Sequence, residues 1–84
     1  MNLRSAPNPS SGGTSIDYTV DAASQIKLIA YDMQGKLVKV LVDKKLDAGM
    51  YSVDFDMGNL PSGTYFVTAV KNGVVKQTAK IIKN

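Results

Sequence analysis

Asp54 and Asp56 are the pair of acids whose spacing most invites chemistry in this chain of 84 residues. Two strand steps place their carboxylates on one face about 7 Å apart, and paired acids of this kind drive glycoside hydrolysis. The chain holds no histidine and no cysteine, so the commonest general base, the commonest metal ligand and the thiolate nucleophile are all missing. Catalysis would rest on isolated carboxylates, and solvated outer positions on a strand account for Asp54 and Asp56 without it. No Asp-x-Asp-x-Asp-Gly loop occurs. A calcium site would therefore have to be built in a loop carrying Asp21, Asp43 or Asp47.

Ser10-Ser11-Gly12-Gly13 has the composition of a phosphate-cradling loop but lacks the Lys-Ser/Thr ending and the following helix that supply the field. It reads as a linker between strands. Tyr18, Tyr31, Tyr51 and Tyr65 could form a sugar platform, yet three of them alternate with polar residues at strand spacing, which suits core aromatics better. Tryptophan, the strongest stacking ring, is absent. Lys71, Lys76, Lys80 and Lys83 thicken the charge toward the end of the sequence. On the last strand, Lys76 and Lys80 share a face with Thr78, as gatekeepers against edge-to-edge pairing do, though so exposed a segment also suits recognition.

These residues must be positioned by one small domain. A chain of this length buries only about 60% of its unfolded surface and does not support two cores. Without cysteine its stability comes from packing alone. The formal charge of +3 is small and almost all of its cations are lysines, which argues against nucleic acid as a partner. No stretch approaches the roughly 18 apolar residues of a membrane span, and Met1 to Ser5 has no signal-peptide hydrophobic region. A start directly before the first motif reads as a module cut from a longer protein.

Valine, isoleucine, threonine and tyrosine recur in short runs separated by Gly, Pro, Asn or Asp, which predicts strands. Leu3 to Ala6 is a linker or a short edge strand, ended by Pro7-Asn8-Pro9, because proline cannot sit in a central strand. Thr14 to Val20 alternates cleanly, with Ile16, Tyr18 and Val20 on one face. From Gln25 to Met33, Ile26, Leu28 and Ala30 point one way and Lys27, Ile29 and Tyr31 the other, so both faces are partly apolar. Gln34-Gly35 predicts a tight hairpin into Lys36 to Asp43, where a short helical spacing of apolar residues competes but lacks an N-cap. Residues 44–49 are expected to connect to the strand carrying Tyr51, Val53 and Phe55. The last two strands, Thr64 to Lys71 and Val74 to Ile82, are joined by Asn72-Gly73, the strongest hairpin signal in the chain.

Seven short strands with turns at this spacing predict an all-β, seven-stranded immunoglobulin-like or fibronectin-III-like β-sandwich, with strands 1, 2 and 5 facing strands 3, 4, 6 and 7. Leu60-Pro61-Ser62-Gly63-Thr64-Tyr65 is similar to the Leu-Pro-x-Thr-Gly signal of a sortase, but its Gly and Thr are reversed and no membrane span follows. Architecture explains it better: Leu60 anchors the turn in the core, Pro61 stiffens it, and Gly63 takes backbone angles a sharp turn needs. Tyr65 then occupies the place of a tyrosine corner, its hydroxyl bonding to backbone a few residues upstream.

Five stretches in order, Pro7-Asn8-Pro9, Tyr31 to Val38, Ala48-Gly49-Met50-Tyr51, Leu60 to Phe66 and Lys80 to Lys83, resemble the C-terminal sorting domain of type IX secretion cargo. The resemblance spans residues 7 to 84. It implies a non-catalytic domain without cofactors at the end of a larger secreted protein of Gram-negative bacteria. The implied partners are an N-terminal cargo domain, the outer-membrane translocon met from the periplasm, and a sortase-like surface protease that cuts before residue 7. The cargo is then secreted or held at the cell surface. The family's strongest signals map onto Gly35, Lys36, Val38, Gly63 and Tyr65 and onto the basic last strand with Lys76, Lys80 and Lys83. Pro7, Pro9, Gly49, Leu60 and Tyr65 carry structural roles. The Ig-like domain of flagellar hook-capping proteins is similar in the same places. A structural or carbohydrate-binding accessory module of a surface enzyme is the alternative reading, and an exposed edge strand offers a route to weak homodimers.

Overall fold

The computed structural model describes residues 2–7 and 13–83, and these form seven strands paired antiparallel in two sheets. The strands are β1 (Asn2–Pro7), β2 (Thr14–Val20), β3 (Ser24–Asp32), β4 (Leu37–Leu46), β5 (Gly49–Phe55), β6 (Gly63–Lys71) and β7 (Val74–Lys83). One sheet has the order β1-β2-β5 and the other β4-β3-β6-β7, the partition expected from the turn spacing. Pro9 and residues 10–12 of the Ser-Gly linker lie outside the described residues.

Period-two alternation decides which residues meet between the sheets. Thr14, Ile16, Tyr18 and Val20 of β2 are buried, as are Ser24, Ile26, Leu28 and Ala30 of β3 and Tyr65, Val67 and Ala69 of β6. Phe55, Ile16, Ile26, Leu28, Met57 and Val67 are the largest fully buried side chains, and each contributes about 1.5–3 kcal/mol relative to exposure. Tyr18 and Tyr51 stand opposite one another across β2 and β5, their rings stacked at 5.5 Å with an interplanar angle of 19°. Pro7 is paired with Thr14 on the edge strand β1, a position that tolerates a missing N–H.

Two stretches differ from the sequence expectation. Residues 44–49 are not a connection: β4 continues through Lys44 and Lys45 to Leu46, which pairs with Ser24 and is buried. The apolar anchor at Leu46 carries the strand past a run of charges, leaving Asp47 and Ala48 between β4 and β5. Met33 belongs to a turn rather than to β3. The hairpin there spans Met33-Gln34-Gly35, because the Gly35 N–H donates to the Asp32 carbonyl at 3.0 Å and the Asp32 N–H to the Lys36 carbonyl at 2.9 Å. With Gly35 at φ +82°, this is a type I turn closed by a left-handed residue, the three-residue form of hairpin. The Asp32 carboxylate accepts from the Gln34 and Lys36 N–H groups, each at 2.9 Å, and stiffens the loop. Asn72 and Gly73 both take positive φ, 50° and 81°, as a two-residue turn of the expected type requires.

Side chains close the sandwich along one side. The Gln77 amide of β7 accepts from the Leu3 N–H at 3.0 Å and donates to the Leu3 carbonyl at 3.2 Å, so it pairs with β1 in place of a strand. Lys71 bonds Asp21 at 2.7 Å, joining the end of β6 to the turn between β2 and β3.

Candidate recognition surface

The acids do not assemble a catalytic pair. Asp54 is exposed on β5, but the strand ends at Phe55, and the Asp56 carboxylate turns back to accept from the Gly58 N–H at 2.9 Å. Asp43 accepts from the Gln25 side-chain amide at 3.0 Å, and Asp21 is engaged by Lys71. That hydrogen bond, from Lys71, is the main reason the Asp21 carboxyl is held below its ordinary pKa. Among the described residues, no group of three or more His, Cys, Asp or Glu could hold a metal ion. A shallow depression of about 510 Å³ on the outer face of the three-stranded sheet brings Arg4 and Asp17 near Met50 and Ser52. It holds one cation and one carboxylate and no group in position to activate a nucleophile.

Most of the residues singled out in the sequence instead meet at one end of the four-stranded sheet. Asp32, at the mouth of the β3–β4 turn that holds Gly35 and Lys36, pairs with Tyr65; Gly63 pairs with Lys83. Val38 packs against the core from β4. Lys80 lies in the same third of the sheet, opposite Phe66 on β7. Lys76 stands apart, at the far end beside the Asn72-Gly73 turn and an irregularity in β6–β7 pairing.

The loop between β5 and β6 is fastened at this end. Its Leu60 N–H donates to the Met57 carbonyl at 3.0 Å, Met57 is buried, and Leu60 packs against the core. The Tyr65 hydroxyl donates to the Pro61 carbonyl at 2.5 Å, the bond of a tyrosine corner. The Lys83 ammonium donates to the Leu60 carbonyl at 2.5 Å and to the Gly58 carbonyl at 3.3 Å. Gly63 has φ +152°, a region essentially reserved for glycine, and this lets the chain swing from Pro61 into β6 with Tyr65 facing inward.

A second such corner escaped the sequence reading. The Tyr51 hydroxyl donates to the Asp47 carbonyl at 2.6 Å, again four residues upstream. The signal was present as a repeat: Asp47-Ala48-Gly49-Met50-Tyr51 and Pro61-Ser62-Gly63-Thr64-Tyr65 share the Gly-x-Tyr step and the accepting carbonyl two residues before the glycine. Both occur where the chain passes from one sheet to the other, from β4 to β5 and from β5 to β6. Gln77 and its hold on Leu3 had no sequence signal, since the two residues are 74 positions apart.

The sequence profile of a family described as a secretion system C-terminal sorting domain matches residues 6–84. No curated protein matches the chain.

Proposed function

Since the chain belongs to the C-terminal sorting domains of the type IX, or Por, secretion system, we propose that its folded sandwich is what the outer-membrane translocon reads on the cargo that precedes it. The family is non-catalytic, its domains are recognised by secretion machinery, and its cargo is secreted or found at the cell surface. The finer steps belong to the proposal: passage from the periplasm of a Gram-negative cell, contact with the translocon, and removal by a sortase-like surface protease before residue 7. Residues 1–84 are taken to act as a single sorting unit.

The observation that carries this reading is the convergence of Gly35, Lys36, Gly63, Tyr65 and Lys83 at one end of the four-stranded sheet. Residues dispersed over about half the chain become one surface there. Within it, Tyr65, Gly63 and Lys83 act by holding the loop of residues 56–62 in shape, whereas the exposed Lys36 and Lys80 are free to reach a partner.

Fusing residues 1–84 to a secreted reporter in a type IX-competent cell tests this. The expected result is reporter at the surface or in the medium, and periplasmic retention when residues 74–84, which include β7, are removed. Retention of the intact fusion overturns the reading.

A further inference from the structure

The two outward faces of the sandwich are built to different rules. An antiparallel sheet with one wet face is expected to alternate apolar-in and polar-out. The three-stranded sheet obeys except at Met50: the β2–β5 register places Ser15, Asp17 and Thr19 outward beside Asp54, Ser52 and the exposed Met50. On the four-stranded sheet the outward rows run Leu37–Tyr31–Phe66–Lys80 and Val40–Ile29–Thr68–Thr78, with Asp43–Lys27–Val70–Val75 and Thr64–Ile82 beside them. Leu37, Val40, Val75 and Ile82 are 45–62% exposed, and Ile29, Tyr31, Phe66 and Val70 are half-buried between them. A contiguous apolar surface of this kind on a small domain marks an interaction site.

Charge is sorted in the same way. All nine lysines lie on β3, β4, β6 and β7 or in the β3–β4 turn, where they are accompanied by two aspartates, Asp32 and Asp43. Both of those carboxylates are taken up by hydrogen bonds within the sheet. Elsewhere Arg4 stands among five aspartates. Among the described residues the one ion pair is Lys71 with Asp21, and of the other lysines Lys27 stands opposite Asp43 in the β3–β4 register without forming one. The modest net charge conceals a cationic sheet with an apolar, aromatic centre.

We propose that this outer face of the four-stranded sheet is the docking surface for a protein of the secretion machinery that presents an apolar ridge flanked by carboxylates. This rests on the sorting reading above and names the surface it uses. Apolar and aromatic side chains at the centre with charge at the rim are the anatomy of a protein interface, and complementary charge speeds encounter and excludes wrong partners. A second copy of the chain is the poorer occupant, because stacking two such faces would set lysine against lysine. An anionic lipid surface would satisfy the lysines, but among the described residues the apolar side chains of this face stand on the strands of the sheet and not on a loop that could insert among acyl chains.

The reporter fusion tests this with three variants of the full chain: Leu37→Ser combined with Val40→Ser, Lys80→Glu, and Met50→Ser on the opposite outer face as a control. All four positions are exposed, so thermal unfolding of the purified 84-residue chain should move little. Export is expected to fall about tenfold for the double variant and about threefold for Lys80→Glu, and to hold for Met50→Ser. Full export of both face variants beside an exported parent overturns the docking surface and leaves the sorting reading intact, whereas a parent fusion that stays in the periplasm overturns both. Two further results, with export unchanged, would also overturn it. One is binding to phosphatidylglycerol vesicles that Lys80→Glu abolishes, which assigns the face to lipid. The other is a dimer that the double variant dissolves, which assigns it to a second copy.

Discussion

The Lys83 ammonium rests 2.5 Å from the Leu60 carbonyl, so the end of β7 is tied to the loop that leads into β6. A lysine that the sequence marks as part of a basic terminal strand is thereby committed to the fold. Its effect on any partner passes through the shape of the Met57–Leu60 turn, while Lys80, three residues earlier and exposed, has no such tie.

Lys83→Met should therefore loosen that turn. With two charge-assisted bonds lost at a partly exposed site, the cost is roughly 1 kcal/mol. Faster amide exchange at Leu60, whose N–H closes the turn onto Met57, is the specific signature. Lys80→Met should leave that amide unchanged.

The two tyrosine corners should differ in strength because their surroundings differ. Tyr65 is buried and its bond to Pro61 is shielded, so Tyr65→Phe should cost about 1 kcal/mol or more, a fall of about 4–8 °C in Tm. The Tyr51 bond to Asp47 is exposed, where water can replace it, and Tyr51→Phe should cost about half as much. Equal losses in the two melting curves would contradict the assignment.

Glycine matters at Gly63 for its backbone and not for space. An added Cβ there meets nothing within 4 Å, yet φ is +152°, so Gly63→Ala should cost about 1–3 kcal/mol in strain alone. Gly49→Ala is the contrast: φ is ordinary and the new Cβ would touch the Tyr51 ring at 3.6 Å, a normal contact. Denaturant midpoints for the two variants should separate clearly.

Burial, and then the neighbouring Tyr51, raise the Tyr18 phenol above its ordinary pKa of 10.0. With the folded value above the unfolded one, the neutral phenol's contribution to stability is complete below pH 10.0 and is lost as pH rises through the folded value. Phenolate absorbance during an alkaline titration should contain a late component from Tyr18. Tyr18→Phe should remove it.

Local pattern reached far into this fold. Ile16, Tyr18 and Val20, or Ile26, Leu28 and Ala30, share a face because successive side chains on a strand point to opposite sides, whatever the partner. Asn72-Gly73 demands a turn for a reason equally internal to the chain, its positive φ angles. The Tyr65 corner was legible because donor and acceptor are four residues apart. Where pattern failed, a distant residue had intervened: Leu46 extends β4 through Lys44 and Lys45 because its side chain is buried in the core, and Met57, beyond the end of β5, fills that core.

Alternation and turn chemistry are written in neighbouring residues, and they suffice to mark this chain as an all-β module with the ordered motifs of a sorting domain. What those strands present to a partner depends on how they pair in three dimensions. Lys27 and Lys80 share the outer face of one sheet because β3, β4, β6 and β7 pair into it, while Asp17 and Asp54 of β2 and β5 fall on the other. Pairing between strands far apart in sequence, set by burying one face of each, sorts charge and apolar side chains onto the opposite face, and no local period records that outcome.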